Sequence, residues 1–194
     1  RPAALPQVPA ALSGFVQPYT DNPLDDEAVS QSVYLNLITK AEQYVYITTP
    51  YLIISDTMKT ALCNAAKSGV DVRIMTPGIP DKATVFEVTR AHYESLLEAG
   101  VKIYEYTPGF LHAKNFAVDD RYATVGSINL DYRSLFLHFE NGVWLCNCPA
   151  ILEVKADFLS TMQSCRQITL SYCLGLPMYR RLLRSILRVF APLL

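Results

Sequence analysis

Six residue types fall in one spaced register, H-x-K-x4-D-x6-G-S-x-N, running from His112 to Asn129. His112 and Lys114 lie two residues apart as a strand is expected to begin. Alternation along a strand would point both side chains to one face. Asp119 follows, then Gly126, which lets backbone approach a ligand closely. Ser127 and Asn129, again two apart, offer a hydroxyl and an amide. If a hairpin joins the two segments, their ends meet in a pocket holding one nucleophile or base, one fixed positive charge and several neutral donors. That set suits a tetrahedral phosphodiester, whose developing equatorial charge needs donors placed in advance. Taken singly, each residue has an ordinary explanation: a hydrogen-bonded core histidine, a solvated lysine, a Gly-Ser turn. In one register and one strand-turn-strand context, they specify a site.

The elements that must position these residues are legible around them. Residues 1–14 hold three prolines and no charge after Arg1, the composition of a linker remnant. Residues 15–18 read as a short edge strand, and Asp25, Asp26 and Glu27 as the opening of a helix to about Lys40. Strands at 44–50, 70–77 and 101–106 alternate with helices at 56–68 and 82–99, the helices closed by Gly69 and Gly100. That alternation means βαβ units and a parallel core. Segments 115–119 and 122–126 read as an antiparallel hairpin, 142–146 as a last strand, and about 150–165 as a packing helix. The expected fold class is α/β: a mixed, largely parallel β-sheet flanked by helices on both faces, with a C-terminal basic amphipathic helix.

With 194 residues, 51% of them hydrophobic and 18% charged, the chain suffices for one well-packed domain plus appendages. It contains no apolar run of about 18 residues, so no transmembrane segment is expected within it. The Arg-Pro opening reads as part of something longer. Arg180, Arg181, Arg184 and Arg188 sit in a tail without acids, which leaves 13 basic against 18 acidic residues elsewhere. Residues 178–194 put Leu182, Leu183, Ile186, Leu187 and Phe190 on one helical face and Arg180, Arg184 and Arg188 on another. Two readings stand: a helix lying on an anionic membrane surface, or one packed on the domain with its arginines in solvent. Five cysteines at 63, 146, 148, 165 and 173 lack paired metal-ligand spacing and read as reduced, mostly buried thiols in a cytosolic compartment. Neither metal nor cofactor is expected.

The register resembles the signature of the phospholipase D superfamily at every motif position. TTPYLI (48–53), AAKSGVDVRIMTPGIPD (65–81), AGVKIYEYTPGFLHAK (99–114) and NLDYRSLFLHFE (129–140) are similar to the C-terminal domain of bacterial cardiolipin synthases. The resemblance, over about residues 15–190, implies a catalytic half-domain (15–168) followed by a tail helix (169–194). It implies His112 as a nucleophile forming a phosphohistidine, or as the general acid paired with one. Lys114, Ser127 and Asn129 would hold the phosphate, Asp119 would support the site, and Glu140 would orient the motif histidine. The implied reaction moves a phosphatidyl group between two phosphatidylglycerol molecules, at the cytoplasmic face of the cell membrane in the full-length protein. It needs two facing histidines, and His92 and His138 lack the x-Lys that a second copy of the motif would carry. The partner is then a missing N-terminal motif-bearing half or a second copy of this chain. The rivals are a homodimeric phospholipase D-like nuclease, disfavoured by the acidic body, and an inactive half-domain serving as partner or membrane-binding module.

Overall fold

The computed structural model of the protein describes residues 14–189; residues 1–13 of the expected linker, Phe190 and the side chain of Arg188 lie outside the described set. The elements run β1 (Phe15–Asp21), α1 (Val29–Thr39), β2 (Tyr44–Thr48), α2 (Asp56–Lys67), β3 (Asp71–Pro77), α3 (Ala83–Ala91), α4 (Tyr93–Glu98), β4 (Lys102–Tyr106), β5 (Asn115–Val118), β6 (Tyr122–Gly126), α5 (Tyr132–Phe136), β7 (Glu140–Cys146), α6 (Ala150–Met162), β8 (Cys165–Ile168), α7 (Leu170–Leu174) and α8 (Met178–Val189).

The strands form one mixed sheet in the order β1-β7-β6-β5-β2-β3-β4-β8. β2, β3 and β4 are parallel, as their helical crossovers require. Among the described residues the other five pairings are antiparallel, which corrects the expectation of a largely parallel sheet. The reason is that β6 returns on β5 through a tight hairpin, β7 returns on β6 through residues 127–139, and edge strands β1 and β8 close both sides. β8 was not foreseen. Four residues with a half-exposed, polar middle carry too little pattern to be seen in sequence.

One face of the sheet packs against α1, α2 and α4, where Tyr34, Met58, Leu62 and Leu96 meet Val45, Ile47, Ile74 and Phe116. The other face packs against α6, with Phe158 stacked at 4.9 Å on Tyr46. The helix expected over 82–99 breaks at His92 into α3 and α4; His92 is buried there and its N–H reaches back to the Thr89 carbonyl. The acids at 25–27 precede α1 instead of entering it. Asp21 supplies the capping carboxylate, accepting from Ser30 N at 3.0 Å. Only Cys173 of the five cysteines is fully buried, and the others are half-buried, so the thiols are less enclosed than expected. No helix among the described residues is long and apolar enough to cross a membrane.

Candidate functional site

The site is built where the β5–β6 hairpin opens. Its turn residues Asp119 and Asp120 both have left-handed backbone, at φ 53° and 55°. With Arg121 they make a three-residue connection, closed by Arg121 N donating to Val118 O at 3.0 Å, which keeps the hairpin tight. Lys114 and Gly126 are therefore returned side by side, with Gly126 N donating to Lys114 O at 3.3 Å. Gly126 also faces Gly142 across β6 and β7; a Cβ there would lie 2.8 Å from Gly142 Cα, so only glycine fits. Ser127 is then locked to β7, donating from N to Asn141 O at 2.9 Å and accepting from Asn141 N at 3.1 Å. The strap that follows is clamped from two sides. Tyr34 Oη of α1 donates to Ile128 O at 3.0 Å, and Leu130 bonds Thr49 and Ile53 of the β2–α2 segment.

His112 is exposed and Lys114 buried, both in the loop before β5. They converge because the ammonium turns back on the imidazole, not because they alternate on a strand. Lys114 Nζ lies 2.9 Å from His112 Nδ1, 3.1 Å from Nε2 and 2.7 Å from its carbonyl oxygen. Burial pulls the Lys114 ammonium below the ordinary lysine value, with the charges of Glu140 and Asp131 opposing that loss.

Glu140 is buried at the start of β7 and accepts a hydrogen bond from Ser127 Oγ. Its other oxygen lies 4.0 Å from His138 Nδ1, and His138 Nε2 is 3.3 Å from Arg133 Nη2. Glu140 was expected to orient His112. It is engaged by Ser127, just beyond the end of the β6–β7 ladder, and bears on the motif through the charge it presents to Lys114. Asn129 Nδ2 donates to Ser134 Oγ at 3.0 Å while Oδ1 is buried without a partner. A half-turn of that amide would let Ser134 donate to Oδ1 and free the N–H groups for an anion. Asp131 caps α5 through Ser134 N at 2.7 Å, and burial raises its carboxyl above the usual range.

Asp119 is not brought to this cluster. It sits at the far end of β5, where its carboxylate accepts backbone N–H groups of Glu42, Gln43 and Tyr44 at 2.7, 2.9 and 2.7 Å. It fastens the hairpin turn to the entry of β2, a scaffold role that spacing alone could not disclose.

Two features went unread in the sequence. A cleft of about 190 Å³ opens beside Asn129, walled by Tyr51, Lys82, Arg133 and His138. Arg133 could have been found four residues after Asn129 in a helical turn, but nothing marked Lys82. Exposed apolar side chains adjoin the motif in the chain: Phe110, whose ring lies 5.7 Å from that of His112, and Val125, Leu137 and Phe139. Elsewhere, α8 is docked with its charged side inward: Arg184 is buried on Glu87 at 2.8 Å and Arg181 pairs with Glu94 at 2.7 Å. Leu182, Leu183, Ile186 and Val189 face outward. Helix packing is therefore observed, but not with all arginines in solvent.

Residues 34–162 match the family described as cardiolipin synthase, PLD-like domain. An uncharacterised protein of Streptococcus mutans is 47% identical over 94% of this chain and 40% of its own length. The cardiolipin synthase of Alkalihalophilus pseudofirmus is 38% identical over 93% of this chain and 36% of its own length. The chain thus spans about two fifths or less of these relatives. Among solved structures, Nuc of Salmonella typhimurium, a phospholipase D family member, superposes with a TM-score of 0.69 at 20% identity, over 80% of this chain and 99% of that one. Phosphatidylserine synthase of Haemophilus influenzae gives 0.70 at 18% identity, over 96% and 47%. These two likenesses concern the fold.

Proposed function

The chain belongs to the phospholipase D-like domain family of cardiolipin synthases, and from that premise we propose that it is one of two histidine-bearing halves of a phosphatidyltransferase acting on phosphatidylglycerol. The observation that carries this reading is the Lys114 ammonium seated on His112 beside Ser127 and Asn129. A neutral ring nitrogen of one motif histidine attacks phosphorus in line. The P–N bond forms, the P–O bond to the departing glycerol breaks, and the facing histidine protonates the alkoxide. The second alcohol then enters, loses its proton to that facing histidine, attacks phosphorus and expels the first imidazole. His112 fills either place, and Lys114, Ser127 and Asn129 donate to the non-bridging oxygens.

Exposed Phe110 beside His112, with exposed Val125, Leu137 and Phe139 next to motif residues in the chain, supports a covered site, because such apolar groups are what a second half would bury. The outward apolar side of α8, flanked by exposed Arg180, suits the lipid surface in which the substrate resides. The test joins this chain to a second motif-bearing half and supplies phosphatidylglycerol vesicles. Cardiolipin formation, lost in His112→Ala, is the expected result. Plasmid cleavage without lipid turnover would replace this reading with a nuclease.

A further inference from the structure

We propose that the cleft beside Asn129 is a second phosphate subsite, which holds the phosphodiester of the acceptor lipid during transfer; this rests on the phosphatidyltransferase reading above. Its wall carries two cations, Lys82 and Arg133, and neither forms an ion pair among the described residues. Arg133 touches His138, whose ring adds a further donor or acceptor. Asp81 lies close by, but its carboxylate is taken by Tyr51 Oη at 2.5 Å and by the backbone N–H of Lys82 at 2.6 Å. Asp131, the carboxylate in the wall itself, is held at the start of α5 by Ser134 N. Lys82 occupies the N-cap of α3, whose first turn has no acidic residue and no side-chain cap, so the helix dipole adds to the positive potential there. Ile53 and Val85 give the cleft an apolar wall on which methylene groups can rest.

Position argues for the acceptor. Asn129 belongs both to the motif and to the cleft, and Arg133, His138, Glu140 and Ser127 form a continuous polar chain from one to the other. In the product two phosphates share one glycerol, so the acceptor's own phosphate must lie one glycerol away from the reacting phosphorus. Water has no such group. Two cations at that place would favour a phosphatidylglycerol acceptor over water, and so synthesis over hydrolysis.

Two measurements test the assignment. With the joined protein and phosphatidylglycerol vesicles, the Lys82→Gln/Arg133→Gln variant should lower the ratio of cardiolipin to phosphatidic acid by roughly tenfold or more. An unchanged ratio overturns the subsite. Independently of turnover, the chain is titrated with tetrahexanoyl cardiolipin, which presents two phosphates, and with dihexanoyl phosphatidic acid, which presents one. The double variant should weaken the first by roughly tenfold and the second by less than about twofold. Equal weakening of both, or of neither, overturns the proposal. A joined protein that turns over no lipid yet keeps this differential binding would sink the phosphatidyltransferase reading and leave the subsite standing.

Discussion

Asp119→Asn should damage stability and leave the phosphate site intact in molecules that remain folded. The carboxylate accepts three backbone N–H groups, from Glu42, Gln43 and Tyr44, at 2.7 to 2.9 Å. A hydrogen bond to a charged group contributes about 1.5–3 kcal/mol net. Glu42 and Gln43 are solvent-exposed, so water replaces part of what they lose. The loss is then roughly 2–4 kcal/mol rather than the full sum, because an amide offers one acceptor and sets its own N–H against a backbone donor. Asparagine tolerates the left-handed backbone at φ 53°, so the change isolates the carboxylate, whereas alanine would add about 1 kcal/mol of strain. For a chain of this size the expected fall in Tm is roughly 5–12 °C. Circular dichroism gives the melting curve, and binding of dihexanoyl phosphatidic acid well below Tm gives the state of the site. A melting temperature within about 1 °C of wild type together with lost binding would refute the reasoning and put Asp119 back in the chemistry.

Other outcomes follow from the same geometry. Arg90→Met should cost about 3–5 kcal/mol by urea titration, because it leaves fully buried Glu105 with the half-exposed Arg166 as its one remaining ion-pair partner among the described residues, and adding Glu105→Gln should restore much of it. Gly126→Ala should cost about 1–3 kcal/mol and displace Ser127, seen as lower Tm and weaker phosphate binding together, since the new Cβ meets Gly142 Cα and Asn141 O. Burial would raise the Asp71 carboxyl, but Arg73 and Lys102 outweigh it and hold it below 3.8. A carboxyl lowered on folding stabilises at pH above its unfolded value and loses that contribution as pH falls through the folded one. The stability gap between wild type and Asp71→Asn should therefore be constant near neutrality and shrink below about pH 4, and a gap that persists at pH 3 contradicts this. Glu87→Gln/Glu94→Gln should speed amide exchange across 178–189 without lowering the protection of β2 and β3, and unchanged exchange would mean that the two ion pairs do not hold α8.

What could be read from the sequence was whatever is settled by near neighbours. The hairpin, its turn at Asp119 and Asp120, and the return of Ser127 and Asn129 to the side of Lys114 are short-range consequences of strand period and turn chemistry. The parallel trio β2, β3 and β4 follows from alternation with helices. What escaped depends on partners far along the chain. Asp119 bonds a segment 77 residues earlier, and no spacing announces that its oxygens cap Glu42. The tail looked free of acids because its counter-charges, Glu87 and Glu94, sit on α3 and α4; once they are supplied, Arg181 and Arg184 turn inward and Leu182 and Leu183 outward. The family resemblance placed Glu140 on the motif histidine, whereas its carboxylate accepts from Ser127 Oγ.

The seam between β2 and β5 has a consequence for how the protein comes to be assembled. On one side lie the consecutive strands β5 to β7, joined by a tight hairpin and by residues 127–139 with α5; on the other, a crossover unit, β2 to β4. Each has mainly short-range pairings, whereas the join demands a long loop closure and is the slower event. Lys114 and Ser127 belong to the first unit, while Thr49 and Ile53, which hold the strap carrying Asn129, belong to the second. Neither unit alone presents the complete cluster. Competence to bind phosphate should thus arise in the docking step itself, so that the site acts as its own reporter of whether the two pieces have met.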